Sequence, residues 1–136
     1  MEPSLALQKA IRGRLVAASA VTSLVPAASI VDRNGKPATF PCILIGEAQT
    51  MQGAGLDRRR SDVYPDLHIW TTEPGTVQAQ AIVGAIRAAL ADGPWTLDGH
   101  HLADLHIAST RILRDPDGLH AHGVVSISAL LVELAA

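Results

Sequence analysis

Two long runs of alternating residues flank Asp115-Pro116-Asp117-Gly118, and this stretch, Leu105 to Leu134, constrains the fold more than any other. Asp-Pro-Asp-Gly suits a type I turn closed by a left-handed glycine bulge. That turn pairs Asp115 with Leu119. Counting outward, Leu113 meets Ala121, Ile107 meets Ile127 and Leu105 meets Ala129 on one apolar face. The opposite, mostly polar face holds Arg114 with His120, Ile112 with His122, Thr110 with Val124, and His106 with Ser128. A slip of one residue would mix the faces, so turn chemistry and pattern agree. Leu102 is out of phase with Leu105, which predicts a bulge near Ala103-Asp104.

The remaining chain divides by period. Ser4 can cap a helix running to about Ala18, with Leu7, Ala10, Ile11 and Leu15 on one face. A short turn over Ser19 to Leu24 precedes Pro26, and Ile30-Val31 is a brief strand followed by a polar turn, Asp32 to Lys36. Phe40-Pro41 opens the unbroken apolar run Cys42-Ile43-Leu44-Ile45, which predicts an interior strand covered on both faces. Gln52 to Ser61 lacks periodicity and reads as an exposed loop. From Val63 to Thr71, Val63, Leu67 and Ile69 face one way, and Tyr64, Asp66, His68 and Trp70 the other. Pro65 cannot donate to a ladder, which places that end at a sheet edge or before pairing begins.

Ala79, Ile82, Val83, Ile86 and Leu90 form the clearest helical stripe. Asp92-Gly93-Pro94 should stop this helix, with Gly93 as a left-handed cap. Asp98-Gly99 signals a two-residue type I′ turn. The order helix, strands, helix, strands gives an α+β fold in one domain, residues 1–136: a mostly antiparallel sheet with two helices on one face and a long C-terminal β-hairpin.

Composition narrows the function classes. Of the 136 residues 48% are hydrophobic but only 3% aromatic, so the core is thin and aliphatic and gains from burial between subunits. The net charge of −2 gives no sign of nucleic-acid binding. Cys42 is the single cysteine, so no intrachain disulfide forms. The start, Met1-Glu2-Pro3-Ser4, lacks signal-peptide order, and the apolar run Leu15 to Val31 is broken by Pro26. These features predict a soluble intracellular protein with no membrane span.

Candidate chemistry is sparse. The histidines are His68, His100, His101, His106, His120 and His122. His120 and His122 share a strand face about 7 Å apart, but the hairpin register puts His106 too far away to be a third ligand. They read as surface or subunit-contact histidines, with a zinc site built across subunits as the alternative. Arg58, Arg59 and Arg60 form a basic cluster suited to phosphate contact or docking on an acidic surface, set against a merely solvated loop tip. Gly53-Ala54-Gly55 lacks the lysine and spacing of a phosphate loop. Cys42 reads as a buried structural thiol; Ser109, Ser126 and Ser128 lack a nucleophile-elbow context; turn formation accounts for Asp115 and Asp117. No catalytic residue, cofactor site or metal site is assigned.

Taken together, several segments resemble the tailed-phage tail-completion or tail-terminator family, which also occurs in prophages and gene-transfer agents. They are Leu5-Ala6-Leu7-Gln8-Lys9-Ala10-Ile11, Phe40-Pro41, Leu67-His68-Ile69-Trp70, Ala81-Ile82 through Ile86, Ala88, Ala89 and Leu90, and Arg114-Asp115-Pro116-Asp117-Gly118 with His122-Gly123. The resemblance implies a non-enzymatic virion structural protein, assembled in the bacterial cytoplasm. Such a protein forms a homo-oligomeric ring, usually hexameric, at the head-proximal end of the tail tube. Its expected partners are the major tail tube protein and a head-completion or connector protein, with DNA passing through the channel without sequence-specific binding. Other readings are a head-completion connector or tail-tube subunit, and a small metal-dependent enzyme using His120 and His122.

Overall fold

A computed structural model describes residues 1–33, 37, 39–53, 55, 58–91 and 93–135. Helix α1 (Pro3–Ala17) is followed by a single helical turn, α2 (Ser19–Thr22), and strand β1 (Ile30–Asp32). Strands β2 (Cys42–Gln52) and β3 (Arg60–Thr72) form a long hairpin. Helix α3 (Val77–Ala91) then crosses to β4 (His100–Arg114), which returns as β5 (His120–Glu133). The sheet order is β1-β2-β3-β5-β4, antiparallel throughout except for the parallel β1–β2 pair. This is the expected α+β architecture.

The helices cover one sheet face. Leu7, Ile11 and Leu15 of α1, and Ile82 and Ile86 of α3, pack on Ile43, Ile69, Val125 and Ile127 with essentially no exposure. Burying such side chains contributes about 1.5–3 kcal/mol each before the entropy of ordering them. Arg14 fastens the two helices. Its guanidinium donates to the Ala89 carbonyl (3.2 Å) in the last turn of α3 and to the Pro94 carbonyl (2.6 Å), and lies 3.9 Å over the Trp95 ring. The expected interior strand is correct on both faces: Cys42, Ile43, Leu44 and Ile45 are all buried.

Several expectations need correction. The first helix starts two residues early, because its cap is Glu2 and not Ser4: the Glu2 carboxylate accepts from the Ser4 amide. Pro65 lies in a central strand, between β2 and β5. It is tolerated because the ladders break beside it. In β2, Gly46 and Glu47 bulge opposite Asp66, and on the other side β3 and β5 make no bridge between the Val63–Ala129 and Asp66–Ser126 pairs. The aperiodic 52–61 segment is shorter as a loop than expected, since Gln52 pairs with Ser61 and the Gly53 amide donates to the Arg60 carbonyl (2.7 Å). Around Asp98-Gly99 only the glycine has positive φ (+74°), so the tight Leu97–His100 turn is not type I′. Gly93 does not take the left-handed cap conformation. Asn34 to Lys36, in the expected polar turn, and Asp92, in the helix stop, lie outside the described residues.

The C-terminal hairpin is half right in register. Leu105–Ala129, His106–Ser128 and Ile107–Ile127 pair as expected, and the bulge at Ala103 is present. Nearer the turn, every pair is displaced by one residue: Leu113 faces His122 and Ile112 faces Gly123. The turn holds one more residue than a three-residue loop, and a second bulge at Ala108 absorbs the difference. The Asp115 amide donates to the His120 carbonyl (2.9 Å) rather than pairing with Leu119. As a result Ile112 turns toward the core, while Leu113 is 38% exposed.

Candidate functional site

Three features stand on the surface that the helices leave uncovered: an arginine tip, a histidine–aromatic cluster and an acidic turn. The tip follows from the β2–β3 hairpin. Arg58 and Arg59 precede β3 and Arg60 opens it, so Arg60 is a strand residue rather than part of a loop. All three are exposed. The Gln52 side-chain amide donates to the Arg58 (2.9 Å) and Arg60 (3.1 Å) carbonyls, which pins the backbone of the tip. Arg58 has φ +55°, a conformation uncommon outside glycine. Ala54, the middle residue of Gly53-Ala54-Gly55, lies outside the described residues.

The histidine cluster forms across β3 and β5. Trp70 pairs with His122 in the ladder, and the Trp70 and His122 rings stack at 4.0 Å. His68 Nδ1 lies 2.9 Å from His122 Nε2. One nitrogen must donate and the other accept, so the pair cannot bond with both rings fully protonated. Burial, reinforced by nearby His68, holds the His122 imidazole below its ordinary pKa; Asp115 opposes this and Arg111 adds to it. On its other side His68 Nε2 lies 3.5 Å from Glu47. The Gly46 bulge makes room, since a Cβ there would sit 2.7 Å from the His68 ring. Sequence periodicity put His68 and Trp70 on one face. It did not reveal their meeting with His122, because β3–β5 pairing joins residues 54 positions apart.

One consequence is testable by pH. His122 binds a proton more readily unfolded than folded, so its neutral form favours the native state above about pH 6.5, the ordinary histidine value. That contribution is lost as pH falls through its lowered folded pKa. Urea unfolding between pH 8 and 5 should show the parent losing more stability on acidification than His122→Gln. Parallel curves would contradict this.

The acidic turn lies at the other end of β3. Asp117 accepts from the Leu119 amide (2.7 Å), the His120 amide (3.1 Å) and His120 Nδ1 (2.6 Å). The Leu119 hydrogen bond, helped by His120, lowers its carboxyl to about 2, so it is ionised at neutral pH. Asp115 accepts from the Asp117 and Gly118 amides, confirming both aspartates as turn builders. Phe40 stacks on His120 at 4.4 Å. With Pro37, Trp70, Asp115, Asp117 and His120 it lines a cavity of about 270 Å³.

Other sequence candidates separate. His120 and His122 do not act together: the first bonds Asp117 and the second His68. His106 bonds Asp104 on the edge strand. His101 is exposed, whereas His100 is buried and bonds the Met1 carbonyl (2.9 Å). Cys42 is buried, and burial pushes its thiol up to about 11, far from a reactive thiolate. Among the described residues, Glu47, Asp66 and His68, and separately Asp115, Asp117 and His120, bring possible metal-ligating atoms within 4.8 Å of one another. No helix among the described residues is long and apolar enough to cross a membrane. Sequence reasoning missed Glu73. Its carboxylate accepts from Thr71 Oγ1 (2.6 Å) and from the Gln78 (3.0 Å) and Ala79 (2.9 Å) amides that open α3.

The family model for tail completion protein gp17 matches residues 9–131, nearly the whole of this architecture. The chain belongs to the tail completion protein gp17 family. It is therefore a member of a structural tail-completion family. A chain of a solved native gene transfer agent virion is similar over 97% of this chain and 99% of its own, at 17% identity and a TM-score of 0.81. The gp17 protein of bacteriophage SPP1 is similar over 97% and 91%, at 23% identity and a TM-score of 0.61. Both likenesses lie in the fold. Comparison with curated protein sequences gave no match.

Proposed function

We propose that this tail-completion protein forms a ring, six subunits being the expected number, at the head-proximal end of a phage-like tail tube. The ring ends tube polymerisation and offers the surface on which the head is joined, and DNA passes through it without sequence-specific contact. The protein acts as a virion component whose partners are the major tail tube protein and a head-completion or connector protein. Membership of the tail-completion family carries this reading. Likeness in fold to a gene transfer agent virion chain over almost its full length supports it.

Physical features fit an assembly role. The sheet face away from the helices carries Phe40 and Tyr64 at 37% and 39% exposure, together with Trp70, in a chain with few aromatics. Aromatic side chains on an open face are characteristic of interface anchors. Arg58, Arg59 and Arg60 form a docking element for an acidic surface, raised on a hairpin whose backbone Gln52 pins. Native mass spectrometry or sedimentation should find a ring-sized oligomer, in solution or on isolated tail tubes. A strict monomer that neither binds tubes nor limits their length sinks the proposal.

A further inference from the structure

We propose that the Arg58 tip of one copy docks in the acidic, aromatic-walled turn pocket of a second copy. The contact rests on the ring reading and specifies the acidic surface that the arginines meet.

The pocket has the chemistry of a guanidinium site. Asp115 and Asp117 supply carboxylates beside the Phe40 and Trp70 rings. Asp117 is ionised at neutral pH. A planar cation can donate two hydrogen bonds to a carboxylate while stacking on an aromatic face, as an ammonium cannot. Phe40 is held in place by its stack on His120, so the wall exists before binding.

The tip supplies the complement. Arg58 is exposed, and the Gln52 amide fixes its carbonyl and so its position. Its positive φ is a conformation that surroundings must hold in place, of the kind that collects at binding sites.

Topology decides which copy they belong to. Arg60 opens β3 at the tip, and Thr72 closes it, paired with His120 beside the pocket. Thirteen strand residues span roughly 40 Å. No chain can bring its own tip to its own pocket. Two unlike, complementary patches at opposite ends of one sheet make a head-to-tail contact, the type that closes a ring. The competing occupant is a divalent cation, since Asp115, Asp117 and His120 also have metal-ligand spacing.

Charge exchange tests this with the full chain. Arg58→Glu reverses the tip, and Asp115→Lys puts an ammonium in place of one of the pocket's two carboxylates and cancels its negative charge. Asp117 is left alone because its side chain holds the Leu119 and His120 amides of the turn. Circular dichroism and melting confirm that both variants fold. Each alone should weaken self-association at least tenfold by sedimentation, and an equimolar mixture should recover assembly to within a few-fold of the parent. Recovery arises because each glutamate tip then meets the pocket that carries the Asp115→Lys ammonium, and each native tip a native pocket. Variants that assemble like the parent, or that fail alone and stay apart when mixed, overturn the contact while leaving the ring intact. Assembly lost to a chelator, restored by zinc and indifferent to Arg58→Glu gives the pocket to a cation and also overturns it. A parent that forms no oligomer in solution or on tubes overturns the ring reading together with the contact.

Discussion

Particles made with Arg58, Arg59 and Arg60 all replaced by alanine should join heads to tails at a tenth of the parent yield or less. The three side chains are exposed at the end of a hairpin and none belongs to the apolar core. Surface changes of this kind alter stability by about 0.5 kcal/mol or less each. Interface arginines, in contrast, often contribute about 2 kcal/mol or more apiece, roughly thirtyfold in affinity. The two effects are separable: urea unfolding should stay close to that of the parent while infectious or transducing particles fall sharply. Unchanged particle yield would refute a docking role for the tip. If yield and stability fall together, the arginines matter to the fold instead.

Glu73→Ala should be the most damaging single change outside the apolar core. Three donors converge on this one carboxylate: the Thr71 hydroxyl, on a fully buried residue, and the Gln78 and Ala79 amides of the first turn of α3. Losing a helix cap costs about 1 kcal/mol. Leaving a buried hydroxyl without its acceptor adds about 1–3 kcal/mol. The expected loss is therefore about 2–4 kcal/mol in urea unfolding, and a loss under about 0.5 kcal/mol would contradict it. Burial alone would raise the Glu73 pKa, but the Thr71 hydroxyl and the backbone amides that open α3 outweigh it and leave it below the ordinary value. The contribution is thus present above about pH 4.5 and lost as pH falls through the lowered folded pKa. The parent's advantage over Glu73→Ala should shrink on acidification in that range.

Sequence legibility followed the range of the interaction. The α3 stripe, the alternation of β3 and the unbroken Cys42–Ile45 run were readable because each is set by a local pattern of apolar residues. The Asp115–Gly118 turn was also readable in kind, with Gly118 at φ +73° and its amide bonded to the Asp115 carbonyl (3.0 Å). Its length was not. Asp117 captures the Leu119 and His120 amides, which adds a residue to the loop and shifts the neighbouring register. Local pattern could not place Pro65 either, because what accommodates it is a bulge in another strand. The His68–His122–Trp70 cluster and the acidic pocket depend on β3 lying beside β5 and on Phe40 folding over the turn. Neither is encoded by spacing along the chain. The arginine tip was visible as composition. Its position opposite the acidic pocket, at the far end of the same sheet, required the topology.

Electron microscopy of particles assembled without this protein tests the central proposal most directly. A ring that ends the tail tube and joins it to the head predicts tails that are overlong, unjoined to heads, or both, with normal tails and joining restored when the intact chain is supplied. Particles with tails of normal length, properly attached and fully infectious or transducing, would contradict it.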